Sequence, residues 1–285
     1  MHTKLIDAVT LSRHLEDPNW VILDCRHDLM NPNAGLDSFA IGHIAGAQFA
    51  NVDTDLSGAK IGADGKFQGR HPLPGRAAFI ETLRGWGISD DTQVVAYDAH
   101  GGMFAARLWW LLRWVGHPAV AVLDGGLVAW QAAGLPMVTH AERRTPGSIG
   151  ERASLVSTVN ADEVLANLES QERTVVDARA ADRYRGENET IDPVGGHIPG
   201  AKNRFFKDNL TPEGRFKDAA QLKADFAPLF ADPAKAIMQC GSGVTACHNL
   251  LALEVAGLPG AALYPGSWSE WVGDTTRPVA TGAQP

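Results

Sequence analysis

The sequence predicts an α/β protein built as two tandem domains, each a parallel β-sheet flanked by α-helices. Three observations carry that expectation. The chain has 285 residues, about twice the roughly 150 that one domain commonly needs. Short β-branched runs alternate with helical patterns bounded by Gly and Pro, the signature of β/α alternation around a parallel sheet. The chain also repeats itself over a long period, which points to one fold written twice.

In the repeat, Val21-Ile22-Leu23-Asp24-Cys25-Arg26 and Gly42-His43-Ile44-Ala45-Gly46-Ala47 return as Val175-Val176-Asp177-Ala178-Arg179 and Gly196-His197-Ile198-Pro199-Gly200-Ala201. The offsets are 153 at the Asp and 154 at the His. Gly102-Met103-Phe104-Ala105-Ala106 and Asp124-Gly125-Gly126 return as Gly243-Val244-Thr245-Ala246-Cys247 and Pro265-Gly266-Ser267, at an offset of 141. The smaller offset leaves the first copy thirteen residues longer between its Gly-His-Ile turn and its Gly102 helix, mostly within Asp53 to His71. Such an extension is either a surface excursion or a segment that reaches over the neighbouring domain to complete a shared site.

Taken in order, the first copy has strands at Trp20 to Leu23, Val94 to Tyr97 and Val120 to Leu123. The helix after Gly102 carries Trp109, Trp110 and Trp114 at helical spacing, which packs them against the sheet or the partner domain. His140 to Ala153 is polar, contains Arg143-Arg144-Thr145-Pro146-Gly147 and lacks an apolar period. The expected division is therefore a first domain over 1–140, a linker over 141–154 and a second domain over 155–285. The second copy has strands at Thr174 to Val176, Ala236 to Gln239 and Ala261 to Tyr264, with a helix running to near Gly257.

Composition excludes several classes. Lys+Arg 25 against Asp+Glu 33 gives a formal charge of −8, unsuited to neutralising nucleic acid or anionic lipid. No stretch approaches the ~20 consecutive apolar residues of a membrane span. The opening Met1-His2-Thr3-Lys4-Leu5-Ile6-Asp7 forms no signal-peptide apolar run, so a cytoplasmic location is expected. The three cysteines, Cys25, Cys240 and Cys247, have the spacing of neither a disulfide framework nor a zinc site.

The most informative stretch is Ala236-Ile237-Met238-Gln239-Cys240-Gly241-Ser242-Gly243-Val244-Thr245-Ala246-Cys247-His248, an apolar strand running into a Gly-rich turn and a helix. Ligands bind at the carboxyl edge of open parallel sheets, and a helix opening there points backbone N–H groups and its positive dipole end at the occupant. Gly241 and Gly243 let the amides curl inward, a nest that favours a sulfur anion and hence a nucleophilic Cys240. A cysteine phosphatase would need an arginine six residues after the nucleophile to clamp its oxyanion. Ala246 stands there, which disfavours phosphate chemistry.

The doubled domain, the Gly-His-Ile-Pro-Gly-Ala turn, the loop from Cys240 to Ala246 and Ala261-Ala262-Leu263-Tyr264-Pro265-Gly266-Ser267-Trp268-Ser269-Glu270-Trp271 resemble the tandem-domain sulfurtransferases of the rhodanese family. Pro265 stands where members commonly have Asp. The resemblance implies two rhodanese-like domains: a catalytically silent first one, with Asp98 where the nucleophile would be, and a second one carrying Cys240. It implies sulfur transfer through a Cys240 persulfide to a thiol, cyanide or thioredoxin-like acceptor, with no metal or organic cofactor. The neutral loop Gly241, Ser242, Gly243, Val244, Thr245 is similar to that of 3-mercaptopyruvate-preferring members, whereas thiosulfate-preferring members have cationic residues after the cysteine.

The same resemblance points to Arg183 as the clamp for the donor carboxylate, the alternative being a plain surface ion pair. A second arginine is often found a few residues later, but Glu187-Asn188-Glu189-Thr190-Ile191-Asp192 is acidic, which keeps thiosulfate open as the donor. A non-catalytic sulfur-carrier or binding module is the reading from another class. The resemblance further implies a Ser-His-Asp relay of Ser242, His71 and Asp53 across the domain interface. His71 is otherwise a loop histidine beside Pro72, and Asp55 could replace Asp53. His43 and His197, like Asp24 and Asp177, recur in both copies and are expected to be structural, tying loops to the Gly-His-Ile turn. Cys25 and Cys247 read as buried hydrophobes.

Overall fold

The computed structural model describes residues 1–141 and 143–284. Glu142, in the expected linker, and Pro285, at the end of the expected second domain, lie outside the described residues. The chain divides into two compact units, neither of them one continuous stretch. The first comprises Met1–Gly58, Pro74–Leu155 and Pro212–Phe216; the second comprises Ala59–Leu73, Val156–Thr211 and Lys217–Pro285. Most of the segment in which the first copy is longer, Ala59–Leu73, thus belongs to the second unit, while Asp53 to Gly58 stays with the first.

In the first unit the elements are β1 (Leu5–Ile6), α1 (Ala8–Ser12), β2 (Trp20–Asp24), α2 (Ala34–Ile41), β3 (His43–Ile44), β4 (Ala47–Phe49), α3 (Arg76–Gly85), β5 (Gln93–Tyr97), α4 (Ala105–Trp114), β6 (Val120–Leu123), α5 (Gly126–Ala132) and β7 (Met137–Val138). A parallel sheet runs in the order β1-β6-β5-β2-β4, and β3 pairs antiparallel with β7. Strands β5 and β6 are buried along their whole length, as the near-continuous apolar runs of a parallel sheet require. Trp109 and Trp110 of α4 are buried too, the Trp109 indole donating to Thr3 O at 2.9 Å. The stretch around Ile149 has no regular structure and packs on the first unit, where Ile149 N–H donates to Ile88 O at 3.1 Å.

In the second unit the elements are α6 (Ala161–Ser170), β8 (Thr174–Asp177), α7 (Ala181–Arg185), β9 (Lys202–Asn203), α8 (Ala219–Phe226), β10 (Ala236–Gln239), α9 (Thr245–Val255), β11 (Ala262–Leu263) and α10 (Ser267–Trp271). The parallel sheet runs β11-β10-β8-β9. A capping box starts α6: Asn160 Oδ1 accepts from Glu163 N–H while the Glu163 carboxylate accepts from Asn160 N–H. Helix α9 is buried from Ala246 to Leu253 and stops two residues before Gly257, whose φ of +73° suits the turn out of a helix.

The strands expected from the sequence lie within a residue or so of those found. Strands β1, β4 and β9 and the β3–β7 pair were not foreseen, because two or three residues are too few to display a period. No helix among the described residues is long and apolar enough to cross a membrane.

The same internal tie appears in both units. The buried Asp24 carboxylate holds Arg26, whose Nη2 donates to Gly42 O at 2.7 Å. Asp177 holds Arg179, whose Nη2 donates to Gly196 O at 2.6 Å. Beside these ties His43 stacks on Phe39 and His197 on Tyr184, each pair with ring centroids 3.8 Å apart. An arginine thus links the end of the first long strand of each copy to its Gly-His-Ile turn, and the histidine is locked in the core. Both positions serve the scaffold.

Candidate active site

Strand β10 delivers Cys240 to its carboxyl end, where the side chain is buried at 2% exposure. The turn that follows is forced by its glycines. Gly243 has φ +76°, and a Cβ there would lie 2.2 Å from Pro265 O, so no other residue fits. The turn after β11 closes over this loop: Trp268 N–H donates to Cys240 O at 3.0 Å and Ser269 N–H to Gly241 O at 2.9 Å. Ser267 has a left-handed φ of +53° and is fully buried. Its Oγ accepts from Cys240 N–H at 3.1 Å and donates to Tyr264 O at 2.9 Å. A non-glycine residue held in that region stores strain of about 1–3 kcal/mol, here in exchange for a fixed Cys240 backbone.

The first unit shows what this loop architecture binds. Leu127 N–H donates to Asp98 O at 2.8 Å, the counterpart of the Trp268 bond to Cys240. Asp98 therefore occupies the place that Cys240 has in the second unit. Its carboxylate accepts from the N–H groups of His100, Gly102, Phe104 and Ala105 at 2.7 to 3.0 Å. The turn is an anion nest, filled in that copy by its own side chain. In the second unit the same turn carries a cysteine, and the helix it opens, α9, presents the N–H groups of its first turn.

His71 and Ser242 meet. His71 Nδ1 lies 2.7 Å from Ser242 Oγ, with both side chains buried. The segment carrying His71 begins as a small hairpin, with Gly62 N–H donating to Lys66 O and Gln68 N–H to Lys60 O, each at 2.8 Å. It then passes Gly69, at φ +98°, where a Cβ would lie 2.7 Å from Gly266 O. Arg70 N–H donates to Ser269 Oγ at 3.0 Å. Gly69 lets the chain run flush against the turn that closes the Cys240 loop, and this sets both Arg70 and His71 beside it.

Arg70 was not foreseen from the sequence. A Cβ on Gly241 would lie 2.8 Å from Arg70 Nη2 and 3.7 Å from Arg183 Nη2, so two guanidinium groups converge beside the residue that follows Cys240. Arg183 comes from α7, just after β8. It is an ion-paired side chain that also lies near Gly241. Its Nη2 lies 2.8 Å from each Glu189 oxygen and 3.4 Å from Asp192 Oδ2. Asp192 Oδ1 in turn pairs with Arg70 Nη1. Glu189 builds the local loop, its Oε1 accepting from Ile191 N–H at 2.9 Å and Asp192 N–H at 3.0 Å. Burial would push Glu189 up, but those N–H groups and Arg183 hold its carboxyl below the usual range. Burial pushes Asp192 up, against the pull of Arg70. The available sequence signal for Arg70 was indirect: an acid where an arginine is expected needs a cation from elsewhere.

Asp53 belongs to the first unit, where its Oδ2 lies 3.8 Å from His27 Nε2. Asp55 Oδ2 there accepts from Asn51 N–H at 2.8 Å. Val244 and Thr245 form the entry to α9. Cys25 and Cys247 are free thiols, fully buried, with Cys247 Sγ 3.3 Å from Gly243 O.

A buried cysteine at the carboxyl edge of a parallel sheet, in an anion-binding turn with cations at its rim, defines an enzyme class that carries an anionic group on sulfur. The chain belongs to the rhodanese family: the rhodanese-like domain pattern matches residues 7–133 and 160–274. It is 45% identical over 283 residues, 98% of each chain, to a Pseudomonas aeruginosa protein described as "Probable 3-mercaptopyruvate sulfurtransferase". It is 40% identical over 205 residues to the thiosulfate sulfurtransferase of Mus musculus, covering 70% of this chain and 69% of that one. Among solved structures, the 3-mercaptopyruvate sulfurtransferase from Leishmania major superposes with a TM-score of 0.83 at 30% identity, covering 95% of this chain and 74% of that one.

Proposed function

We propose that this chain is a sulfurtransferase that moves a sulfur atom from 3-mercaptopyruvate, through a persulfide on Cys240, to a thiol, cyanide or thioredoxin-like acceptor, releasing pyruvate. The observation that carries this reading is the 2.7 Å pairing of His71 Nδ1 with Ser242 Oγ on the Cys240 loop. Thiosulfate gives up its outer sulfur with sulfite as a ready leaving group, whereas mercaptopyruvate must break a carbon–sulfur bond and needs proton management.

In this reading the Cys240 thiolate attacks the donor's thiol sulfur. The new S–S bond forms as the C3–S bond breaks, and that electron pair leaves as the enolate of pyruvate. Ser242 and His71 take the donor's thiol proton and return it at C3, giving the methyl group of pyruvate. Asp53 is assigned the acid of the relay by its place in Asn51-Val52-Asp53-Thr54, with Asp55 as the alternative. Amides of Gly241, Gly243, Val244 and Thr245 stabilise the persulfide anion, and Arg183 holds the donor carboxylate. The acceptor thiolate then attacks the outer sulfur and restores Cys240. The chemistry needs reduced thiols, in keeping with a cytoplasmic setting.

The test is mass spectrometry of the full-length protein after donor treatment. A gain of one sulfur on Cys240 with mercaptopyruvate, together with pyruvate release, is expected. No gain with any donor, or full turnover in Cys240→Ser, would sink the reading. A second reading, thiosulfate as the preferred donor, is favoured by the likeness to the mouse enzyme and is decided by comparing kcat/KM for the two donors.

A further inference from the structure

We infer that Asp192 sets the charge of donor that this site accepts: by bridging Arg70 and Arg183 it neutralises the pair, so the subsite favours a monoanionic carboxylate over a dianion such as thiosulfate. The inference rests on the sulfur-transfer reading above. Asp192 stands where the family resemblance calls for another arginine, and from the sequence it weakens the case for a carboxylate donor. The geometry reverses that sense. The second guanidinium is present, but it arrives from Arg70, 122 residues earlier in the chain.

The carboxylate gives one oxygen to each arginine, Oδ1 to Arg70 and Oδ2 to Arg183, and its side chain is only 3% exposed against 20% and 21% for the arginines. The acid lies beneath the pair and the guanidinium groups lie at the rim. Arg70 Nε is shielded from solvent and has no hydrogen-bond partner among the described residues, a donor left over beside the Cys240 loop. Glu189 is shared between Arg183 and Arg179, and Arg179 also pairs with Asp177, so across the whole network three cations, Arg70, Arg183 and Arg179, face three anions, Asp192, Glu189 and Asp177. The subsite thus offers directed N–H donors without excess positive charge. Such a site can bind one carboxylate through charge-assisted hydrogen bonds. A dianion gains no compensating second charge and meets the fixed negative charge of Asp192 and Glu189.

Asp192 acts through the arginines and is a positioning residue, so its test needs a readout that packing alone would not move. Full-length Asp192→Asn, Arg70→Gln and the double variant, each checked for a native unfolding transition, are assayed with cyanide as acceptor on both donors. The quantity read is the thiosulfate-to-mercaptopyruvate ratio of kcat/KM. Asp192→Asn leaves one excess positive charge and is expected to raise that ratio about tenfold, while Arg70→Gln leaves one excess negative charge and lowers it about tenfold. The double variant restores neutrality and returns the ratio to within about threefold of the parent. If Asp192→Asn does not fold, Asp192→Ser reads the same rise, and Arg70→Gln tests the opposite sign independently. A ratio that stays fixed, or moves the same way in both single variants, overturns the inference. Absence of any persulfide on Cys240 in the parent protein would instead overturn the sulfur-transfer reading, so the two failures are distinct.

Discussion

At the scale of single residues, the site depends on what each side chain is held by. His71 is held by Ser242 at 2.7 Å, and its proposed work is proton transfer during C–S cleavage. His71→Asn is expected to slow pyruvate release from mercaptopyruvate about a hundredfold, the usual worth of a positioned acid or base. Turnover of thiosulfate, which needs no proton at carbon, should fall much less; equal losses on both donors would argue for a scaffold role. Glu270 provides a pH test. Burial pushes its carboxyl above the ordinary range. The folded state therefore pays to keep Glu270 charged at neutral pH, and that cost disappears below the ordinary carboxylate range, where both states are protonated. Glu270→Gln should raise the thermal midpoint at pH 7, with the gain fading as the pH falls through the folded and then the unfolded pKa. A gain that grew toward acid pH would refute this.

At the scale of elements, the segment from Ala59 to Leu73 has the largest consequence for its length. It is an irregular stretch with one isolated antiparallel bridge, Ile61 with Phe67, yet it brings Arg70 and His71 to the Cys240 loop of the second unit. Its seating depends on Gly69, which approaches Gly266 too closely for any side chain and has a left-handed φ. Gly69→Ala should misplace both residues and lower kcat/KM on mercaptopyruvate about a hundredfold, since displacements of about an ångström at a reacting centre cost that much. The helix content measured by circular dichroism should stay unchanged, because no helix includes the segment. Retained activity would show that the seating is not critical. Apart from the family likeness at His71, the segment announced itself in the sequence as excess length, because a strap held by backbone contacts carries no periodic signal.

At the scale of the whole molecule, duplication has left two copies of one turn with different occupants. In the first unit the Asp98 carboxylate satisfies four backbone N–H groups. Asp98→Ala removes that anion and should destabilise the protein by at least about 2 kcal/mol, read as a lower urea midpoint, with Asp98→Asn losing less. An unchanged midpoint would mean that water replaces the carboxylate without cost. The sequence by itself determined the two-copy plan, the long strands, the strand-end position of Cys240 and its glycine turn. These are legible because apolar runs, glycine positions and repeat offsets are local or periodic properties of a chain. It also singled out Ser242, His71 and Arg183 through family likeness. Only the tertiary structure decided that Ala59–Leu73 belongs with the second unit, that Arg70 reaches Gly241, and that Asp192 joins two arginines instead of standing in for one. His71 and Ser242 are 171 residues apart and Arg70 and Asp192 are 122 apart. Pairings over such distances are set by how packed segments converge, and no spacing along the chain records them.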